Sequence, residues 1–124
     1  MNKYLAGVLS WAILILCTTG CATQPEKHLV VDGGDQIVYS CDNSVRITAR
    51  YYSISDKSLH FVKVLLPGGT EYTLPCVLSA SGARYTDGRE IVWWTKGSSA
   101  FLERRDGSGN WQIRYNNCKE ITDK

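Results

Sequence analysis

Alternating apolar and polar side chains run through much of the chain and predict β-strands. Residues 45–52, 70–74 and 111–116 each place apolar or aromatic side chains at every second position. A period of two is typical of a strand with one buried face and one face in water. Residues 59–66 and 91–94 are instead nearly continuous apolar runs, which predicts strands covered on both sides.

Short turn-forming segments separate these runs at regular intervals. They are Asp42-Asn43, Pro67-Gly68-Gly69, Asp87-Gly88, Lys96-Gly97 and Asp106-Gly107-Ser108-Gly109-Asn110. An apolar period of about 3.6 residues never runs long enough to predict a substantial helix. Roughly seven or eight short strands within about 90 residues are typical of an all-β fold, either an antiparallel barrel or a sandwich.

The amino-terminal residues have the order of a secretory signal peptide. Lys3 gives a positively charged start, residues 4–17 give a short apolar core, and small residues follow at 18–22. Because a membrane-spanning helix needs about 20 apolar residues, we expect this segment to be removed rather than to span a bilayer. The predicted organisation is a signal peptide over 1–20, a tether over 21–35, a β domain over 36–118 and a C-terminal tail over 119–124.

The end of the signal resembles a bacterial lipobox, in which a lipid-modified cysteine becomes the first mature residue. Cys21 is the candidate for lipidation, although Thr18 stands where the usual lipobox has leucine. Ala22 after the cysteine is similar to lipoproteins sorted to the outer membrane. We therefore expect a lipid-anchored protein at the outer membrane, facing the periplasm. The alternative is an ordinary signal cut after Ala22, which predicts a soluble periplasmic protein.

The remaining cysteines predict one disulfide and one free thiol. Cys41 and Cys118 lie near the two ends of the β domain, and an oxidising compartment makes them the natural pair. A disulfide closing so long a loop is worth at most about 4 to 5 kcal/mol. Cys76 is left over, either as a buried thiol or as a source of dimers. His60 gives it an imidazole, but no third orienting group supports a catalytic pair, so no catalytic residue is predicted.

Charge and composition argue against several classes of function. Without Lys3, thirteen basic residues face twelve acidic ones, so the mature chain is almost neutral and does not resemble a nucleic-acid-binding domain. Two histidines with scattered carboxylates do not predict a metal site. There is no glycine-rich phosphate loop between a strand and a helix, and no cofactor is expected.

Two small-residue motifs flank the predicted hairpin around Asp87-Gly88 and should meet at one of its ends. A two-residue turn there places Ser81 opposite Trp94, with Lys96 as its diagonal neighbour on the same face. A longer loop would shift this register, so the closeness of Ser81 and Lys96 is predicted more firmly than their facing. An ammonium and a hydroxyl side by side suit a site that holds two carboxylates, such as that of a retaining glycosidase.

The two motifs resemble the signature of the MliC/PliC family, the membrane-bound and periplasmic inhibitors of c-type lysozyme. The segment Ser81-Gly82-Ala83-Arg84-Tyr85 matches the family's Ser-Gly-x-x-Tyr, and Trp94-Thr95-Lys96-Gly97 matches its Trp-x-Lys-Gly. The surroundings of Cys41 and Cys118 match as well, so the resemblance covers essentially the whole mature domain. Cys76 and a slightly longer stretch between the two motifs depart from the family pattern.

The resemblance implies an eight-stranded antiparallel barrel, and we expect a small β-barrel of roughly seven to eight strands closed by one disulfide. It also implies that Ser81 and Lys96 enter the active-site cleft of lysozyme, with Tyr85 in a supporting role. The predicted lysozyme-binding residues are Ser81, Gly82, Arg84, Tyr85, Lys96 and Gly97. The expected partners are a c-type lysozyme and, through the lipid anchor, a membrane. The alternative is an envelope lipoprotein that binds peptidoglycan fragments or another envelope protein, because an exposed tryptophan suits sugar stacking.

Overall fold

Eight antiparallel strands form a closed barrel in which each strand pairs with the next and β8 returns to β1. The structure, a computed structural model, describes residues 25–122; the predicted signal peptide and Cys21 lie outside this range. The strands are β1 (Val31–Ser40), β2 (Arg46–Ile54), β3 (His60–Leu65), β4 (Glu71–Val77), β5 (Ala83–Thr86), β6 (Ile91–Lys96), β7 (Ser99–Arg105) and β8 (Trp111–Ile121). The predicted all-β barrel is confirmed. In the part of the chain that the structure covers, no helix is long and apolar enough to cross a membrane.

A short seam between β1 and β8 closes the barrel, from Val38 opposite Ile121 to Ser40 opposite Lys119. The predicted disulfide joins Cys41, just after β1, to Cys118 in β8 and lies beside this seam. Cys118 is completely buried. Pairing of the first and last strands leaves no open sheet edge, and the disulfide cross-links the chain beside that pairing.

Aromatic and aliphatic side chains fill the barrel around Trp93, which is completely buried. Its indole Nε1 donates a hydrogen bond to the Tyr51 hydroxyl at 3.0 Å. The hydroxyls of Tyr51 and Tyr39 lie 2.9 Å apart, and burial raises the pKa of both. Within residues 25–122, no buried side-chain polar atom lacks a hydrogen-bond partner. The barrel interior therefore contains a polar cluster, formed by the Trp93 indole and the Tyr51 and Tyr39 hydroxyls, whose buried groups are all hydrogen-bonded.

The strands reach beyond both predicted domain boundaries. β1 begins at Val31, inside the segment predicted as a tether, and β8 ends at Ile121, inside the predicted tail. Gly33 and Gly34 adopt positive φ beside a break in the β1–β2 register. This bulge interrupts the two-residue alternation, which is why the sequence pattern did not reveal the start of β1.

The two continuous apolar runs behave differently. In β6, Ile91, Val92 and Trp93 are all fully buried, as predicted for a strand covered on both sides. The same prediction is wrong for β3, where burial alternates along the strand and Leu65 is 40% exposed. In a barrel formed by a single sheet, the inward face of each strand is buried and the outward face is in contact with water unless another segment packs on it. Leu65 points outward and therefore remains partly exposed.

Candidate functional site

Gly82 brings Ser81 and Lys96 together. It lies in the loop between β4 and β5 with φ +67°, and a Cβ atom at this position would collide with the Thr95 carbonyl oxygen. The same Cβ would lie 3.3 Å from Cβ of Lys96. Only glycine allows the loop to pack this closely against the end of β6. The two motifs therefore meet at one end of the β5–β6 hairpin.

The register of that hairpin differs from the prediction. Arg84, rather than Ser81, lies opposite Trp94. The loop spans residues 87–90 instead of being a two-residue turn, because one carboxylate oxygen of Asp87 accepts hydrogen bonds from three successive backbone amides. The predicted opposition of Ser81 and Trp94 is wrong, although both still border one cleft.

Hydrogen bonds fix the loop that carries Ser81. The Ser79 hydroxyl lies within reach of the carbonyl oxygens of Gly82 and Ser81, at 2.9 and 3.3 Å. The indole Nε1 of Trp94 also donates to the Ser81 carbonyl, at 2.9 Å. The Ser81 hydroxyl is exposed and has no hydrogen-bond partner among residues 25–122. The hydrogen-bonded backbone of the loop thus carries the Ser81 hydroxyl in an exposed position.

An open cleft of about 390 Å³ lies at this end of the barrel, between the Ser81 loop and strands β6, β7 and β8. Trp94 and Phe101 form its apolar wall, with ring centroids 5.7 Å apart. The remaining lining residues are Ser81, Lys96, Ser99, Ala100, Asn116, Asn117 and Lys119. The cleft combines one aromatic wall with a rim of hydroxyl, amide and ammonium groups.

Three side chains form a polar row across this rim. Ser99 on β7 lies opposite Lys96 on β6 and opposite Lys119 on β8. The Lys119 ammonium donates a hydrogen bond to the Ser99 hydroxyl oxygen. Both lysines are exposed, and neither forms an ion pair with a carboxylate in the described part of the chain.

The other predicted site residues take different positions. Tyr85 is only 8% exposed and packs inside the barrel, with its ring centroid 5.7 Å from that of Tyr51. Burial raises the pKa of Tyr85 to about 12. The Arg84 guanidinium lies 5.9 Å from the centre of the Trp94 ring, beside the cleft. Gly97 adopts φ +58° in the turn between β6 and β7. Tyr85 and Gly97 thus shape the site, while Arg84 flanks it.

No group of three or more histidine, cysteine or acidic side chains able to hold a metal ion occurs within residues 25–122. Cys76 is a free, half-buried cysteine on β4. The cleft itself offers two ammonium groups, hydroxyls and side-chain amides beside an aromatic wall.

Residues 39–111 match the sequence model of a family described as membrane-bound lysozyme-inhibitor of c-type lysozyme, or MliC. This chain belongs to the MliC family. A Pseudomonas aeruginosa protein named membrane-bound lysozyme inhibitor of C-type lysozyme is 36% identical over 122 residues, covering 90% of each chain. A Yersinia enterocolitica protein of the same name is 32% identical over 108 residues, covering 87% of this chain and 77% of that protein.

The barrel also resembles a solved MliC structure. That structure is Pseudomonas aeruginosa MliC in complex with hen egg white lysozyme, with a TM-score of 0.55 and 23% identity. The comparison covers 97% of this chain and 100% of the other. At this level of identity, the likeness shows that the MliC fold is shared.

Sequence reasoning missed most of the residues that line the cleft. Ser99, Phe101 and Lys119 were not proposed as site residues, and Lys119 fell in the predicted tail. An available signal was the alternation in β7, which places 99 and 101 on the outward face.

Proposed function

We propose that this protein inhibits c-type lysozyme by inserting the Ser81–Lys96 edge of its cleft into the catalytic cleft of the enzyme. One observation carries the mechanism: Ser81 and Lys96 line the same open cleft, and neither the Ser81 hydroxyl nor the Lys96 ammonium has a hydrogen-bond or ion-pair partner among residues 25–122. Membership of the MliC family supports c-type lysozyme as the partner.

The target's chemistry matches these two groups. A lysozyme-type retaining glycosidase carries two carboxyl groups about 5 Å apart, one a general acid with a raised pKa and one ionised. The Lys96 ammonium supplies a compact positive charge for the ionised carboxylate. The Ser81 hydroxyl is suited to hydrogen-bond the acid, since it both donates and accepts. Occupying both groups excludes the substrate.

Preorganisation supports tight binding. Trp94 and Ser79 already hold the backbone of the loop, so complex formation does not have to order it. The ammonium still loses hydration on entering a cleft, and only well-made charge-assisted hydrogen bonds offset that cost. In this proposal Tyr85 acts from inside the barrel, by supporting β5, and makes no direct contact with the enzyme.

We also propose that the mature protein is anchored by a lipid on Cys21 at the outer membrane, facing the periplasm, where it protects the cell wall. The lipobox-like sequence supports this location, and the names of the relatives include the word membrane-bound. Mass analysis of the mature amino terminus tests it. An unmodified amino terminus beginning after Ala22 would instead indicate a soluble periplasmic protein.

Inhibition of a c-type lysozyme by the chain from Thr23 onward tests the proposed function. We expect Lys96→Ala to weaken inhibition more than about tenfold with no change in melting temperature, since Lys96 is exposed. Ser81→Ala should weaken it less, because a neutral hydrogen bond is worth about 1 kcal/mol. Lys57→Ala is the matched control, because Lys57 is an exposed lysine on the β2–β3 turn that does not line the cleft.

A well-folded parent that leaves lysozyme fully active would contradict the proposal. Peptidoglycan fragments would then be the next ligands to test, by pull-down on immobilised glycan. The structure gives this alternative less support, because the Trp94 indole N–H is already bonded to the Ser81 carbonyl and its ring contacts Phe101.

A further inference from the structure

We infer that Lys119 and Ser99 form a second anion-binding half of the cleft, which contacts an acidic side chain of lysozyme outside the catalytic pair. This inference rests on the proposed function. It assigns a binding role to a residue that lies beyond the stretch matched to the family, which ends at residue 111.

The row across the rim sets the geometry. Lys96 and Lys119 lie on either side of Ser99, on strands separated by β7. Two strand spacings place their backbones about 10 Å apart. In the proposed complex Ser81 and Lys96 already satisfy both catalytic carboxyl groups, so the Lys119 ammonium is left for a different one.

Hydrogen-bond directions show what this half of the cleft requires. An ammonium can only donate, so the bond between Lys119 and Ser99 uses the serine oxygen as the acceptor. The serine proton and the two remaining ammonium protons must then point to other acceptors. The free protons of Lys119 and Ser99, together with the positive charge of the ammonium, favour a carboxylate in the partner over an amine or a guanidinium.

Two carboxylates of the described residues, those of Glu120 and Asp42, are engaged elsewhere. Glu120 follows Lys119 but accepts a hydrogen bond from the Tyr39 hydroxyl at 3.4 Å. Both oxygens of Asp42 receive the side-chain amide of Asn117, at 3.0 and 3.1 Å. The positive charge of Lys119 is therefore uncompensated by an ion pair within residues 25–122.

The backbone of Lys119 is also fixed by its neighbours. The preceding residue, Cys118, is completely buried and joined to Cys41, and Lys119 itself pairs with Ser40 across the barrel seam. A buried disulfide and strand pairing thus fix the backbone that carries the ammonium, which lowers the entropy cost of binding.

The test compares Lys119→Met with Lys57→Met in the mature protein, using hen egg white lysozyme as the probe. Lys57 is exposed, does not line the cleft and also donates to a serine hydroxyl, that of Ser53 at 3.3 Å, so its variant makes the same change of charge and bonding at a residue outside the cleft lining. We expect Lys119→Met to raise the inhibition constant about five- to twentyfold, mainly through faster dissociation. Lys57→Met should change it less than about twofold.

Two further variants separate charge from fold. Lys119→Arg keeps the cation and should stay within about threefold of the parent. Ser99→Ala should cost about threefold, and combining it with Lys119→Met should add little, because the two residues act as one unit. A loss in Lys119→Arg as large as that in Lys119→Met would overturn the inference.

The outcomes also separate this inference from the proposed function. Inhibition that is lost in Lys96→Ala but equal in Lys119→Met and Lys57→Met would overturn only the role of Lys119. Absence of inhibition by a folded parent would overturn both. A specific loss in Lys119→Met, with an unchanged melting temperature, would support the second half of the cleft.

Discussion

The two ends of the β5–β6 hairpin use the same kinds of residue in opposite ways. At the tip, one carboxylate oxygen of Asp87 accepts hydrogen bonds from three backbone amides. The Thr86 hydroxyl donates to the Ile91 carbonyl at 2.7 Å. At the base, Ser81 and Lys96 have polar groups without partners among the described residues. The polar side chains of the tip thus form hydrogen bonds within the hairpin and stabilise the fold. The polar side chains of the base leave their donors available to another molecule.

Glycine shows the same contrast. Gly88 at the tip and Gly82 at the base have similar positive φ values, +72° and +67°. A side chain on Gly88 would meet nothing within 4 Å, whereas one on Gly82 would collide with the Thr95 carbonyl oxygen. Gly88 is required only by its turn, and Gly82 also by the close approach that assembles the cleft.

The largest expected effect is that of removing the Cys41–Cys118 disulfide, which lies next to the cleft-lining residues Asn117 and Lys119. Changing both Cys41 and Cys118 to alanine should lower the free energy of unfolding by up to about 4 to 5 kcal/mol. Thermal denaturation under non-reducing conditions measures this loss. An unchanged melting temperature would contradict a stabilising role for the cross-link.

Gly82→Ala should have the next largest effect, about 2 to 4 kcal/mol in stability, because the new Cβ is both strained and obstructed. It should also weaken lysozyme inhibition at least about tenfold by moving Ser81 away from Lys96. Gly88→Ala is the matched control and should cost only about 1 to 2 kcal/mol, with inhibition intact. Equal losses of inhibition in the two variants would remove the distinction between base and tip.

The smallest expected effect concerns pH and the tip. Burial opposes ionisation of Asp87, but the amides of Arg89, Glu90 and Ile91 outweigh it and hold the pKa of its carboxyl below the ordinary value. A lowered pKa in the folded state means that Asp87 contributes stability above the unfolded-state pKa, near 4, and that this contribution is lost as the pH falls through the folded value.

Asp87→Asn keeps the acceptor oxygen but cannot titrate, so it should weaken this acid dependence. Asp87→Ala should destabilise the barrel by about 1 to 2 kcal/mol near neutral pH. Urea denaturation at pH 7 and pH 3 measures both effects, and lysozyme inhibition at pH 7 should be unchanged in each folded variant. An inhibition defect in Asp87→Asn would show that the tip also contributes to binding.

Much of the fold could be predicted from local patterns. Alternation located most of the strands. Neighbouring residues of a strand point to opposite faces, and the structure accordingly places Trp93 in the core and Trp94 along the cleft. The closeness of Ser81 and Lys96 also followed, because flanking segments of one hairpin meet at its base whatever its register.

What could not be predicted depended on single side chains and on distant strands. The register shift comes from Asp87, whose carboxylate stabilises a longer loop than a local turn rule suggests. The place of Lys119 depends on irregularities in the β7–β8 pairing and on closure against β1. No periodicity along the chain reports such long-range pairing, so the second half of the cleft appeared only in three dimensions.

The most direct test of the central claim is a double-mutant cycle between Lys96→Ala and a lysozyme whose ionised catalytic carboxylate is replaced by an amide. Calorimetry gives the binding free energy of all four pairs. If Lys96 meets that carboxylate, the two changes should be coupled by about 1.5 kcal/mol or more, as close charge pairs are at protein interfaces. Additive losses, within about 0.5 kcal/mol, would show that Lys96 does not contact the catalytic carboxylate and would contradict the proposed mechanism.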